Sequence, residues 1–407
     1  ILEQADETDA VFGELYSWYL RNPEYRSRVQ KLVQSAFAGK PKDIISQSVA
    51  KALYGEVSPY SATRLERFAA CAFAHFLQYG MKLTERVEYE FKPMDMGNVM
   101  HEALESFAEE VRKRGMKWTE LTEQERNEIA DRCLDNIVAD YGNTVLKSSA
   151  RNEYMIERTR RILRRTVWAL QKQLEQGEFQ PEGFEVTFGG GRIDRVDIME
   201  DQNKVYVKVI DYKTGNTSFD LVYLYHGLQL QLMIYLDGAL RVEQKKYPDK
   251  EIIPAGVFYY NIKDPMIQEK IDADVKAVSA GLMKELKMNG LVQADPELVY
   301  RMDSSLGSIP VAFNKDGSFR KNSSVADRTQ FAVLGRYVRT KIEKIRSSIL
   351  EGDAEVSPYE LGKKNACTYC PYMTVCGFDR RLSGYEFRRL KNFSDEELWK
   401  AFDREAE

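Results

Sequence analysis

The sequence lacks a long hydrophobic run, a basic leader segment and a large excess of either charge. No part of its 407 residues approaches the roughly 18 to 20 consecutive apolar residues of a membrane-spanning helix. These absences favour a soluble protein of the cytoplasm without membrane contact. Its 59 Lys and Arg residues stand against 63 Asp and Glu residues, so any contact with a nucleic acid has to come from local basic patches.

The sequence also lacks an initiator methionine and a phosphate-binding loop of the Gly-x4-Gly-Lys-Ser/Thr type. It begins with Ile1, which suggests a fragment of a longer protein. The length predicts one large domain with appendages. We expect a helical lead-in over residues 1–55 that follows a missing amino-terminal region, a main domain over 56–380 and a helical tail over 381–407.

The spacing of apolar residues changes along the chain from a helical period to an alternating one. Residues 97–176 are predicted to be mostly helical, with breaks near Gly115 and Gly142. The predicted elements that follow are strands over 184–199 and 205–213, a helix over 220–243, a strand over 254–261, a hairpin turn at 314–317 and a helix over 326–350. This order predicts an α/β fold with a central mixed sheet.

The predicted strands carry two acids and a lysine that could form a site. Asp211 and Lys213 lie on one face of the second strand because side chains alternate with a period of two. Asp194, in Gly191-Arg192-Ile193-Asp194, lies across the predicted hairpin, whereas Asp197 faces the other side and is interpreted as structural. The two carboxylates could bind Mg²⁺ or Mn²⁺, or the three side chains could form a surface ion-pair network at a sheet edge.

A histidine and a glutamine are further candidates for this site. His101 lies just inside the predicted helix that opens at Gly97, where it could be a core or capping residue or a third metal ligand. Gln231 lies on an otherwise apolar stripe of the 220–243 helix, together with Tyr235. A buried amide needs a partner, which could be the backbone of the core, the metal site or DNA.

The cysteines are few and unevenly spaced. Cys367, Cys370 and Cys376 provide three thiolates, one fewer than a zinc ion or an iron-sulfur cluster needs. Cys71 is the better candidate for the fourth, since Cys133 lies mid-helix and is interpreted as a core residue. Zinc, an iron-sulfur cluster and free thiols all remain open at this point.

Basic residues cluster in one helix. Arg158, Arg161 and Arg165 lie there together with Arg160 and Arg164. They form either a solvated face or a surface for DNA phosphates.

Taken in order, these motifs resemble the RecB-like branch of the PD-(D/E)XK nucleases, and within it the B subunits of AddAB-type (RexAB-type) helicase/nucleases. The resemblance covers about residues 55–380. The following residues carry it: Ser61 to Phe76, Gly97 to His101, Gly191 to Asp194, Asp211-Tyr212-Lys213, Gln231, Tyr235, Cys367, Cys370 and Cys376.

The resemblance implies a restriction-endonuclease-like core with helical decorations. It implies a catalytic Mg²⁺ or Mn²⁺ ion bound by Asp194, Asp211, His101 and the backbone carbonyl of Tyr212. Lys213 would position or activate the attacking water, and Gln231 would orient Lys213 or the substrate. The four cysteines would hold a [4Fe-4S] cluster that staples the two ends of the domain.

The same resemblance implies a deoxyribonuclease that cuts single-stranded DNA while broken ends are resected for recombinational repair. Its partner would be the A subunit of a helicase/nuclease heterodimer, which supplies ATP-driven unwinding. Tyr235 and the arginines Arg158, Arg161 and Arg165 are candidates for DNA contact. The alternatives are a non-catalytic DNA-binding or scaffold subunit and a stand-alone nuclease of the CRISPR-adaptation type.

Overall fold

The computed structural model describes residues 9–37, 44–55, 61–84, 93–140, 149–189, 191–267, 274–382 and 384–406. The α-helices within these ranges are α1 (Asp9–Arg21), α2 (Pro23–Phe37), α3 (Gln47–Tyr54), α4 (Ala62–Ala70), α5 (Ala72–His75), α6 (Pro93–Lys113), α7 (Glu123–Asp140), α8 (Ala150–Leu174), α9 (Leu221–Tyr225), α10 (Gln231–Lys246), α11 (Val275–Glu285), α12 (Pro296–Met302), α13 (Arg328–Glu351), α14 (Met373–Cys376) and α15 (Asp395–Ala406). The strands are β1 (Gln180–Phe188), β2 (Gly191–Asp201), β3 (Lys204–Lys213), β4 (Glu251–Asn261), β5 (Asn289–Gln293), β6 (Val325–Ala326), β7 (Tyr359–Leu361), β8 (Lys364–Asn365) and β9 (Arg388–Arg389).

Strands β1 to β6 form one mixed sheet, in which they follow one another in chain order. The pairs β1-β2, β2-β3 and β4-β5 are antiparallel, whereas β3-β4 and β5-β6 are parallel. The parallel step from β3 to β4 is made through α9 and α10, as expected for a crossover. The predicted α/β fold with a central mixed sheet is therefore confirmed.

Strand β3 is covered on both sides. Its odd-numbered valines, from Val205 to Val209, pack in a core with residues of α4, α10 and α13. Its even-numbered residues, such as Tyr206 and Ile210, pack in a second core with residues of α6, α7 and α8. The sequence of a strand that is buried on both faces is a nearly continuous apolar run. A polar side chain at the end of such a strand lies close to the interior of the molecule.

Two predicted elements are each divided in the structure. The strand predicted over 184–199 is the antiparallel hairpin of β1 and β2, which turns next to Gly191, whose φ of 151° suits glycine. The helix predicted over 220–243 is split into α9 and α10 at Gly227, whose φ is 78°. Alternation and helical spacing continue across both breaks, so the pattern of apolar residues alone did not reveal them.

Other predicted boundaries hold or shift by a few residues. The turn at 314–317 closes a bridge between Phe313 and Phe319, and the helix predicted over 326–350 is α13. Helix α6 begins at Pro93, so His101 lies two turns inside it rather than at its start. The break near Gly142 falls outside the described residues.

The segments at the two ends differ in what they contact. Helices α1 and α2 pack on each other, whereas α3 packs against α13, as does α15. The domain boundaries near residues 55 and 380 stay a prediction. No helix in the described part of the chain is long and apolar enough to cross a membrane.

Candidate metal centre

Asp194 and Asp211 lie side by side, Asp194 near the beginning of β2 and Asp211 near the end of β3. The antiparallel ladder of these strands finishes with the pair Arg195 and Ile210, so Asp194 and Asp211 are the next residue on each strand. Both are buried, with 8% and 1% of their surface exposed. Asp194 Oδ2 accepts a hydrogen bond of 2.7 Å from the backbone amide of Tyr212, which fixes one carboxylate against the other strand.

His101 and Glu185 complete a compact group of potential ligands around Asp194. The His101 Nδ1 atom lies 3.4 Å from Asp194 Oδ2 and 3.8 Å from Glu185 Oε1. One ligand atom from each of the three residues lies within 4.8 Å of the others. This geometry favours the interpretation of His101 as a metal ligand over that of a core or capping residue.

Glu185 was not predicted from the sequence. It lies in β1 with a φ of 49°, a conformation that non-glycine residues rarely adopt and that is often found at functional sites. Its carboxylate is 6% exposed and forms an ion pair with Arg192. Had residues 184–199 formed one strand, Glu185 would lie far from Asp194; the β1-β2 hairpin brings the two together.

The charges of this group suit a bound cation. Burial and the neighbouring Asp194 raise the pKa of Asp211 to about 7, although Lys213 lowers it. Burial lowers the pKa of His101, but Asp194 and Glu185 outweigh this effect and raise it to about 10. Asp211 Oδ2 is paired with the ammonium of Lys213, so one cation faces the two carboxylates of Asp194 and Asp211. A hard divalent cation prefers oxygen ligands, which the carboxylates of Asp194, Asp211 and Glu185 provide.

Lys213 connects this group to α10. Its ammonium forms an ion pair with Asp211 and donates a hydrogen bond of 2.7 Å to Gln231 Oε1. The Gln231 amide in turn donates to the hydroxyl of Tyr235, at 2.9 Å. Gln231 therefore faces the candidate site rather than the backbone of the core. Asp211 and Lys213 do form an ion pair, but β3 is a central strand and Asp211 is buried, so this pair does not lie on the surface at a sheet edge.

Tyr212 and Tyr235 are placed differently from Gln231. The side chain of Tyr212 is 2% exposed and lies in the core on the other side of the sheet, and the role of its backbone carbonyl stays a prediction. Tyr235 is 9% exposed and packs edge-on against Phe188. Its position behind Gln231 favours support of that side chain over contact with DNA.

A second acid of β2 has the structural role that was expected. Asp197 is fully buried and accepts hydrogen bonds from Arg195, and Lys208 of β3 lies 2.9 Å away from it. Burial raises the pKa of Asp197, but the two cations outweigh burial and lower it. All of its charge is thus compensated within the core, which leaves nothing to bind a metal.

The four candidate cluster ligands meet at one place. Cys71 ends α4, and a small cavity is lined by its side chain together with Cys367, Cys370 and Cys376. Burial raises the pKa of Cys367 to about 11, to which the other three thiols contribute. Cys133 lies apart in the core around α7, as expected. The fold therefore brings the end of α4 and the segment that contains Cys367, Cys370 and Cys376 together at these thiols.

The arginines of α8 line a groove between α7, α8 and α11, which we call the arginine groove. It is lined by Arg126, Tyr154, Arg158, Arg160, Arg161, Arg164, Arg165 and Trp168, among others. Arg160 and Arg164 are bound by Asp135 and Asp131 of α7, and Arg161 by Asp264. Within the described part of the chain, Arg158 and Arg165 form no ion pair, and Arg165 stacks on Trp168.

One further side chain near the site was missed. The carboxylate of Glu66, in α4, accepts hydrogen bonds from the backbone amides of Leu230 and Gln231. In the sequence Glu66 is one charged residue on an amphipathic helix, 164 positions before its first partner. No local pattern of residues could have indicated this contact.

Comparison with known proteins places these observations in a family context. Residues 59–377 match the family described as the PD-(D/E)XK nuclease superfamily. The chain is 41% identical to a protein of Lachnoclostridium phytofermentans, over 98% of this chain and 36% of that protein. Relatives from Thermoanaerobacter sp. and Alkaliphilus metalliredigens are 33% and 34% identical, over 98% of the chain and 37% of their length. All three are named as the B subunit of an ATP-dependent helicase/deoxyribonuclease. The chain thus spans little more than a third of these relatives.

Proposed function

Because the chain belongs to the PD-(D/E)XK nuclease superfamily, we propose that it hydrolyses phosphodiester bonds of single-stranded DNA with the help of Mg²⁺ or Mn²⁺. The single observation that carries this proposal is the buried pair of carboxylates, Asp194 and Asp211, beside the ammonium of Lys213. A purely structural trio would compensate its charges internally, as Asp197 does with Arg195 and Lys208. Asp194 and Asp211 instead bring two carboxylates to the single ammonium of Lys213, and an additional cation would offset the remaining negative charge.

The residues that would hold the cation are Asp194, Asp211 and His101. Glu185 is a fourth candidate, because it belongs to the same compact group of ligand atoms. When bound, a divalent cation supplies Lewis-acid stabilisation of the charge that develops on a phosphodiester during hydrolysis. It also offsets the carboxylates, which would otherwise repel the phosphate group.

The chain's own contribution is to position Lys213. Gln231 accepts a hydrogen bond from the Lys213 ammonium, and Tyr235 holds the other end of the Gln231 amide. A fixed ammonium at this place offsets charge on the substrate phosphate and orients the attacking water by hydrogen bonding. Burial of Tyr235, which bonds to Gln231, keeps this arrangement in place before the substrate arrives.

The DNA strand would be held by the arginine groove. Arg158 and Arg165 have no ion pair within the described residues, so their charges are available for phosphates. Trp168 and the exposed ring of Tyr154 line the same groove and offer surfaces on which bases could stack. Asp264, which binds Arg161, follows the end of β4. It lies three residues beyond Asn261, the β4 residue that is paired with Lys213 of β3. This placement supports a strand path from the groove toward the metal centre.

The four cysteines are proposed to bind a [4Fe-4S] cluster that joins the ends of the main domain. All four thiols line one small cavity, which supports a site that they share. Because Cys71 caps α4 and the other three follow α13, a cluster bound there would link distant parts of the chain.

The relatives support a wider role for the complete protein. Their name describes an ATP-dependent helicase/deoxyribonuclease and a B subunit. We propose that this chain is the nuclease part of such a subunit and that an A subunit, its heterodimer partner, supplies ATP-driven unwinding. In this role it would cut the strand that ends 5′ while broken DNA ends are resected for recombinational repair in the cytoplasm.

The test is a cleavage assay of the full-length protein, alone and with its partner subunit, on end-labelled single-stranded DNA. We expect cleavage in Mg²⁺ or Mn²⁺ and none after chelation. DNA binding without cleavage under every one of these conditions would contradict a nuclease and favour the non-catalytic scaffold. A stand-alone nuclease of the CRISPR-adaptation type would instead need no partner and no helicase portion, unlike the longer relatives that the chain matches.

A further inference from the structure

Glu66 links two helices next to the candidate metal centre. Its Oε1 atom accepts hydrogen bonds from the amides of Leu230, at 2.7 Å, and Gln231, at 3.0 Å. These amides begin α10, and the first amides of any helix have no partner within the helix. Leu230, at the cap position of α10, makes no side-chain capping bond. The carboxylate of Glu66 therefore replaces a local cap from a distant part of the chain.

Gln231 connects Glu66 to Lys213 through two hydrogen bonds. The backbone of Gln231 is bound by Glu66, while its side chain accepts from the Lys213 ammonium. Lys213 in turn pairs with Asp211. A shift of the α10 terminus would move the Gln231 amide and release the ammonium from its fixed position.

Helix α4 is itself held firmly enough to act as a reference for α10. The guanidinium of Arg388 donates to the backbone carbonyl of Ala69, near the end of α4. The loop before α10 packs closely on the same helix, since a side chain at Gly227 would come within 3.2 Å of the Ala69 methyl group. Glu66 thus projects from a helix that is fixed on two sides.

A simple capping role does not by itself require a carboxylate at this place. Burial raises the pKa of Glu66 to about 7, against the two backbone hydrogen bonds and Lys213, which lower it. A buried acid beside Asp211 is unfavourable, and a polar residue of α10 itself could have capped the helix without it. The position of Glu66 is explained if its carboxylate aligns the start of α10 with Lys213.

We propose that Glu66 is a positioning residue of the nuclease, which aligns Gln231 and thereby Lys213 for catalysis. This inference rests on the proposed nuclease function. The hydrogen bonds of Glu66 go to the backbone of α10, so we expect its effect to fall on the rate of the bound complex and not on affinity for DNA.

The test compares Glu66→Ala with Glu66→Gln in the full-length protein with its partner. Alanine removes the acceptor, whereas glutamine keeps one oxygen, and the single atom Oε1 accepts both hydrogen bonds in the structure. We expect Glu66→Ala to lower kcat roughly 10- to 100-fold, with KM for DNA changed less than about twofold. Glu66→Gln should restore kcat to within about threefold.

A matched control and a second readout separate positioning from general stability. Glu243 is also a buried acid of α10, paired with Lys246 at the far end of the helix, and Glu243→Ala should keep kcat even if it lowers Tm. Amide hydrogen exchange at Leu230 and Gln231 should rise in Glu66→Ala and stay low in Glu66→Gln. If Glu66→Ala does not fold, Glu66→Asp is used instead, because it shortens the side chain while keeping the acid.

The outcomes separate this inference from the proposed function. Cleavage by Glu66→Ala at the wild-type kcat, beside an inactive Lys213→Ala, would overturn the positioning role and leave the nuclease intact. If the wild-type protein does not cleave at all, the proposed function fails and the catalytic role of Glu66 fails with it. A kcat loss that glutamine does not restore would also contradict the inference.

Discussion

Lys213 donates a hydrogen bond of 2.7 Å to the side-chain oxygen of Gln231, 18 positions later in the chain. The contact joins the end of β3 to the first residue of α10, so it depends on the crossover that packs α10 against the sheet. It holds the ammonium between Gln231 and Asp211. A lysine that is fixed on two sides can act on a substrate without first losing conformational freedom.

Glu185 is expected to contribute to metal binding. Glu185→Gln removes one negative charge beside His101 and Asp194 and should weaken Mn²⁺ binding roughly 10-fold or more. The matched control is Glu182→Gln in the same strand, whose acid pairs with Lys246 instead. Isothermal titration of both variants with Mn²⁺ measures the difference, and equal affinities would remove Glu185 from the ligand set.

Metal binding is expected to strengthen as the pH rises. The pKa of Asp211 is raised to about 7 and that of His101 to about 10, and both groups must lose their protons to bind a cation. Below pH 7 each bound cation therefore displaces up to two protons, and above pH 7 about one. The apparent affinity should rise steeply from pH 6 to 7 and by about tenfold per unit from pH 7 to 9.

This pH dependence can be measured by titrating Mg²⁺ or Mn²⁺ in buffers with different ionisation enthalpies. The observed heat should differ between the buffers in proportion to the protons released. His101→Asn should lower the number of protons released on metal binding by about one. An affinity that is constant from pH 6 to 9 would contradict the ligand assignment.

The arginine groove is expected to bind the DNA backbone. Arg165→Glu should weaken binding of single-stranded DNA and reduce the dependence of affinity on salt, since each lost phosphate contact lowers the slope by roughly 0.7. Arg336→Glu is the control, because Arg336 is exposed on α13, outside the groove. Fluorescence anisotropy at several salt concentrations gives both quantities. Equal slopes for the two variants would place the DNA elsewhere.

The cysteine cavity is expected to hold a cluster that stabilises the domain. Cys71→Ala should lose bound iron and lower Tm, because Cys71 joins α4 to a segment almost 300 residues later. Cys133→Ala, which removes another buried thiol but no cavity ligand, should keep its iron and its visible absorbance. Iron and zinc analysis of anaerobically purified protein checks this result. Wild-type protein with zinc and no iron would replace the cluster with a zinc site.

Local pattern was enough to predict the sheet and part of the site. The alternation in 205–213 placed Asp211 and Lys213 on one face, and both lie at the end of β3 as expected. The resemblance to RecB-like nucleases is confirmed by the family match over residues 59–377. The strand pattern and each motif of the resemblance occupy only a few neighbouring residues, and the order of the motifs can be read along the chain, so these features can be seen without a structure.

Contacts between distant segments were beyond the sequence alone. Glu185 approaches Asp194 because the chain turns back near Gly191, a break that the continued alternation of residues 184–199 concealed. Glu66 reaches the start of α10 only through packing of α4 on that helix. In both cases the decisive factor is tertiary packing, which apolar periodicity does not report.

The most direct test of the account is the single-turnover rate of DNA cleavage by Asp211→Asn and Lys213→Ala, measured in the full-length protein with its partner and saturating Mg²⁺. Lys204→Ala is the control, since Lys204 is the exposed first residue of the same strand. We predict that both site variants cleave more than about 100-fold more slowly than wild type, whereas Lys204→Ala cleaves normally and all three fold. Wild-type rates in either folded site variant would contradict the assignment of this metal centre as the catalytic site.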